Sequence, residues 1–131
     1  MQSRLSFKEL LLIAEATLDR PYAELEDAVC VFRAESALAA PFVRLRGMDL
    51  YPDPIDKAAI CAARLIRTRP FGRGNRAVGY ECMREMLVRA GRRYAKEEEV
   101  AADVVETLNR LRAGKMDQAE FVRWVRERVR A

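Results

Sequence analysis

The residues best placed to do chemistry are Gly72-Arg73-Gly74-Asn75-Arg76. A glycine-rich turn that opens directly into a helix leaves the first backbone N–H groups without intrahelical acceptors. The helix dipole adds partial positive charge at the same place. Gly74 permits close backbone approach, and Asn75 can donate through its carboxamide or cap the helix. Arg73 and Arg76 bring full charges. The chemistry on offer is anion binding, most naturally of phosphate. The same pattern also serves as an ordinary turn between two helices, so these residues alone leave both readings open.

What the chain lacks narrows the rest. It contains no histidine, which excludes an imidazole base, nucleophile or metal ligand. Cys30, Cys61 and Cys82 are dispersed, with no Cys-x-x-Cys pair. An odd set without histidine builds neither a disulfide framework nor a zinc site. Each cysteine falls within a helical pattern, and all three are expected to be small buried core residues.

The elements that must position the loop are helical. The 131 residues, half hydrophobic and 34% charged, suit one soluble domain spanning residues 1–131. No apolar run approaches the roughly 20 residues needed to cross a bilayer, and Met1-Gln2-Ser3-Arg4 opens no secretory signal. A cytoplasmic protein without membrane contact is expected. Ser6 and Glu9 form a capping box for a helix ending near Leu18. A second helix is expected from about Ala23 to Ala40, with a looser apolar stripe (Leu25, Val29, Phe32, Leu38) that leaves room for a break. A loop over Phe42 to Pro54 follows. A third helix from Ile55 to about Thr68 presents Ala58, Ala59, Ala62 and Ile66, small enough for a neighbour to approach closely. The stretch Arg69 to Asn75 interrupts the helical pattern and leads into a fourth helix, closed by Gly91. Lys96 to Ala113 forms a fifth, and Asp117-x-x-Glu120 caps a sixth bearing Phe121, Trp124, Val125 and Val129. Phe121 and Trp124 are expected in the core. No stretch alternates with period two for long enough to read as a strand. The expected fold is an all-α compact bundle of about six helices.

The stretch Arg69-Pro70-Phe71-Gly72-Arg73-Gly74-Asn75-Arg76 resembles the signature loop of the Fic/Doc family, whose Doc-type form reads His-Pro-Phe-x-Asp-Gly-Asn-Lys-Arg. Pro70, Phe71, Gly74 and Asn75 match in place. Upstream, Asp49-Leu50-Tyr51-Pro52 with Lys57-Ala58-Ala59 is similar to a Doc-type element, and so is Glu35-Ser36-Ala37-Leu38-Ala39-Ala40-Pro41. The matches come in the family's order. The resemblance implies a small helical bundle that holds a nucleoside triphosphate on the loop and the following helix. It implies AMP transfer or, in Doc-type toxins, phosphate transfer to a protein, with an antitoxin chain as partner. In that chemistry the loop histidine accepts the proton of the target hydroxyl, and the loop acid helps to hold Mg²⁺.

This sequence departs from that pattern at the residues that carry roles. Arg69 stands at the base position, and a guanidinium cannot accept a proton at physiological pH. Arg73 stands at the acidic metal position, where it repels Mg²⁺. Ala77 replaces the last arginine. General-base assistance is worth about 10²–10⁴-fold in rate, so the family's transfer reaction is not expected here, and neither is a bound metal. Arg69, Arg73, Gly74, Asn75 and Arg76 remain as candidate phosphate- or nucleotide-binding residues, with ATP or another nucleotide as the candidate ligand. The first reading is a Doc-like toxin–antitoxin module protein that acts by binding a phosphate-containing ligand or an antitoxin-like chain. Glu97-Glu98-Glu99 could belong to the surface such a chain meets, although an acidic first turn also suits the helix dipole. The alternative is an active phosphotransferase or AMP-transferase using another base, among Asp49, Asp53, Glu81 and Glu85. A third reading, nucleic-acid binding, rests on charge alone. Residues 64–93 hold nine arginines against two glutamates, a local +7 in a chain whose net charge is +4.

Overall fold

The computed structural model describes residues 4–94 and 97–130, with side chains except at 97–101 and 130. Ser6 starts α1 (Phe7–Leu18). Its hydroxyl accepts from the Glu9 N–H while the Glu9 carboxylate accepts from the Ser6 N–H, which makes the predicted capping box. Leu10, Leu11 and Ala14 line the buried face of this helix. Then come α2 (Tyr22–Ala28), α3 (Val31–Ala39) and one turn of 3₁₀ helix at Ala40–Phe42.

The expected second helix is therefore two helices. Val29 leaves helical geometry at ψ 139°, and the Cys30 N–H donates to the Pro70 carbonyl at 2.8 Å instead of continuing the helix. Cys30 is exposed at the start of α3, against the expectation of a buried thiol, while Cys61 and Cys82 are buried as expected. Phe32 is 81% exposed, so it leaves the apolar stripe that Leu25, Val29 and Leu38 keep.

The segment read as a loop after Phe42 carries a short antiparallel ladder, β1 (Arg44–Leu45) with β2 (Met48–Asp49). Arg46 and Gly47 both take positive φ at its turn (53° and 78°), the pattern of a type I′ hairpin. Asp53 caps α4 (Pro54–Thr68) by accepting from the Ile55 N–H at 2.8 Å. This helix crosses the centre of the molecule, with Ala58, Ala59, Ala62, Ala63, Leu65 and Ile66 all buried. Packed against it is α5 (Asn75–Arg89). A methyl group at Gly79 would lie 2.9 Å from Ile66 Cγ1 and 3.2 Å from the Ala62 carbonyl oxygen. Glycine is therefore what lets the two backbones close.

Beyond α5 lie β3 (Arg93–Tyr94), α6 (Glu97–Arg112), α7 (Gln118–Arg126) and β4 (Val129–Arg130), with β3 and β4 antiparallel. Val129 thus sits on a strand and not on the last helix. Strands of two residues are too short to show alternation, and both escape a reading of period. Asp117 and Glu120 form the second predicted capping box. Phe121 is fully buried and Trp124 nearly so, their rings stacked at 5.8 Å, as expected of core residues. The molecule is an all-α bundle, with seven α-helices among the described residues against the six expected. No helix among them is long and apolar enough to cross a membrane.

Candidate functional site

The candidate loop joins the two central helices. At the end of α4, Arg69 adopts left-handed geometry (φ 54°, ψ 57°), and its N–H still closes the helix on the Leu65 carbonyl at 3.1 Å. Pro70 and Phe71 turn inward and are buried. The Pro70 carbonyl accepts from Cys30, which ties the loop to the start of α3. Gly72 and Gly74 take φ 73° and 80°. Gly74 caps α5 without a side chain, so no side-chain acceptor covers the first-turn N–H groups. A Cβ at Gly74 would sit 2.4 Å from Leu18 Cδ2 at the end of α1. Both the positive φ and this close approach require glycine.

Asn75 is the pin of the loop. It is 6% exposed, and its Oδ1 accepts the Phe71 N–H at 2.9 Å. That bond fixes which end of the carboxamide faces inward and leaves the Nδ2 end as the free donor. Arg76, one residue further on, hydrogen-bonds Asn109 of α6. From α4, Arg67 donates to the Leu111 carbonyl at 3.4 Å. Two arginines therefore hold the last turn of α6 beside the loop.

These contacts enclose a cavity of about 210 Å³. Arg69, Arg73, Gly74, Asn75 and Arg76 all line it, and Ile66 and Gly72 complete the loop side. The remaining wall is Arg112, in the last turn of α6. Sequence reasoning did not include Arg112, because only the fold brings the end of α6 to this loop. Its one sequence signal is a cation in a final helical turn, which the helix dipole favours anyway. No carboxylate lines the cavity. A second, more open cavity of about 480 Å³ shares Arg73 and Gly74 and is walled by Leu18 and the Arg20–Glu24 ion pair (2.7 Å).

The carboxylates considered as alternative bases are committed elsewhere. Asp49 pairs with Arg44 at 3.3 Å and Lys57 at 3.5 Å. Asp53 caps α4 and meets Arg126 at 3.0 Å. Glu81 pairs with Arg84 at 3.6 Å, and Glu85 with Arg89 at 3.0 Å. The side chains of Glu97, Glu98 and Glu99 lie outside the described residues. Burial pushes the Cys61 thiol up to about 12 and the Cys82 thiol well above its ordinary range, so neither supplies a thiolate at neutral pH.

The Fic/DOC family model matches residues 4–87 of the 131. The chain belongs to the Fic/DOC family. No curated protein and no solved structure matches it. The matched span runs from before α1 to near the end of α5 and includes the whole loop, whereas Arg112 falls beyond it. A Fic/DOC loop implies a nucleotide and Mg²⁺, and the lining residues treat the two differently. The guanidinium and amide donors fit a phosphate chain. They do not fit Mg²⁺, a hard cation that takes oxygen ligands, chiefly carboxylates and phosphates. Among the described residues no group of three or more cysteines, aspartates or glutamates could hold a metal ion.

Proposed function

We propose that this Fic/DOC chain is a Doc-type member that binds a phosphate-containing ligand at its loop and has given up the family's transfer reaction. One observation carries the reading: four guanidinium groups, the Asn75 carboxamide and an uncapped helix N-terminus converge on one cavity that no carboxylate lines. Each of these groups stabilises negative charge. None of them accepts a proton at neutral pH, so a target hydroxyl has no base within the cavity. The loop then works as a cradle, with ATP or another nucleotide as the candidate ligand.

Calorimetric titration of the purified chain with ATP, alongside Arg69→Ala/Arg73→Ala, tests this. Saturable binding is expected, weakened by about tenfold or more in the double variant, since each charge-assisted hydrogen bond contributes about 1.5–3 kcal/mol. Absence of heat with millimolar ATP and with millimolar pyrophosphate sinks the reading. Transfer of label from γ- or α-labelled ATP to protein is expected to be absent in the native chain. Its detection in the native chain would restore the alternative of an active transferase.

A further inference from the structure

We propose that the cavity selects a pyrophosphate group as such, free of magnesium and independent of any nucleobase, with Arg112 and the Asn75 amide as its selective contacts. The inference rests on the anion-binding reading above and specifies the anion.

Size is the first argument. About 210 Å³ lies below the roughly 300 Å³ at which pockets begin to enclose drug-sized ligands. A nucleotide can place its phosphates here, while its sugar and base are left to the more open neighbouring cavity, which no aromatic side chain lines either. Composition is the second. No aromatic side chain lines the cavity, and Ile66 supplies the only large apolar side chain, so nothing offers a base a stacking face.

The third argument is an unspent donor. Asn75 is nine-tenths buried and borders the cavity. Its Oδ1 is used by Phe71, and its Nδ2 has no hydrogen-bond partner among the described residues. An unpartnered amide donor on a residue held 6% exposed at the cavity wall can meet an acceptor there, and surrounding guanidinium groups make that acceptor an anion. Charge is the fourth. Arg69, Arg73, Arg76 and Arg112 form no ion pair with a carboxylate among the described residues. Bare pyrophosphate keeps its full negative charge for them, whereas bound magnesium cancels part of it and finds no protein ligand. Magnesium should therefore oppose binding, the reverse of its usual role beside phosphate chains.

The test compares sodium pyrophosphate, ADP, ATP and adenosine by calorimetry, each with and without excess MgCl₂, on the full chain and on Arg112→Ala and Asn75→Asp. Asn75→Asp keeps the oxygen that accepts from Phe71 and removes the donor, so the loop keeps its pin. Arg112 is exposed, and its replacement leaves the core untouched. Pyrophosphate, ADP and ATP are expected to bind within about threefold of one another, and adenosine not at all. Magnesium and Arg112→Ala should each weaken binding by about tenfold, and Asn75→Asp by more. Binding of ATP more than about tenfold tighter than pyrophosphate, or tightening by magnesium, overturns this inference and leaves the anion-binding reading standing. Failure of every phosphate compound to bind, with or without magnesium, overturns both.

Discussion

Asn75 serves the fold with one end of its carboxamide and borders the cavity. Asn75→Ala removes the acceptor of a buried N–H at Phe71, which costs about 1–3 kcal/mol of stability. Asn75→Asp should cost less, because the acceptor survives. Urea unfolding of both variants checks the order. Gly74→Ala is expected to destabilise by about 1–3 kcal/mol, through the positive φ and through contact with Leu18. Leu18→Ala added to it relieves only the contact, so partial recovery is the expected result. At this scale the sequence is informative wherever the site is local. Arg69 to Arg76 lie within one loop and can be read together. Arg112 reaches the same cavity through the packing of α6, which no local pattern encodes.

Helices themselves follow from the sequence, because capping boxes at Ser6 and Asp117 and the alanine stripe of α4 are short-range signals. The looser apolar stripe leaves room for the break between α2 and α3 but does not place it. The break depends on Pro70, distant in the chain, offering its carbonyl to Cys30, and a tertiary hydrogen bond outweighs a modest local helix preference. The close pairing of α4 with α5 is the other decisive feature of this scale. Gly79→Ala would improve intrinsic helix propensity by up to about 1 kcal/mol. Its methyl would nevertheless meet a buried Ile66 carbon and the Ala62 backbone, neither of which moves freely. Overpacking at such a site costs about 1–3 kcal/mol. A net loss of stability is expected, measured as a lower denaturant midpoint with an unchanged slope.

Across the whole molecule, the nine arginines between residues 64 and 93 do not act as one patch. Arg64 donates to Gln118 and Arg67 to Leu111, Arg89 joins Glu9 and Glu85, and only Arg69, Arg73 and Arg76 reach the cavity. The Arg89 bridge connects the first helix to the end of α5 and makes stability respond to acid. Hydrogen bonding to Arg89 and to the Ser6 N–H holds the Glu9 carboxyl at about 2, below its ordinary 4.5. A depressed carboxylate stabilises the folded chain above the unfolded value and loses that contribution as pH falls through the folded one. Stability should therefore decline between pH 4.5 and about 2. Glu9→Gln should flatten that part of the profile while lowering stability at neutral pH, as thermal unfolding across the range would show. The pair is partly exposed, so raising the salt concentration should shrink the difference between the two proteins.

The left-handed backbone at Arg69 decides which side chains that position accepts. Positive φ suits histidine and asparagine better than most side chains, so Arg69→His enters a conformation already prepared for it. On the reading proposed above, a histidine at this position is a change of side chain that the loop backbone accepts without rebuilding. Arg69→His/Arg73→Asp should fold at least as stably as the native chain, and label transfer from ATP by this variant but not by the native chain would trace the difference to the loop's side chains alone. If the pair folds and stays silent, Arg112 and Ala77 are the next positions to change.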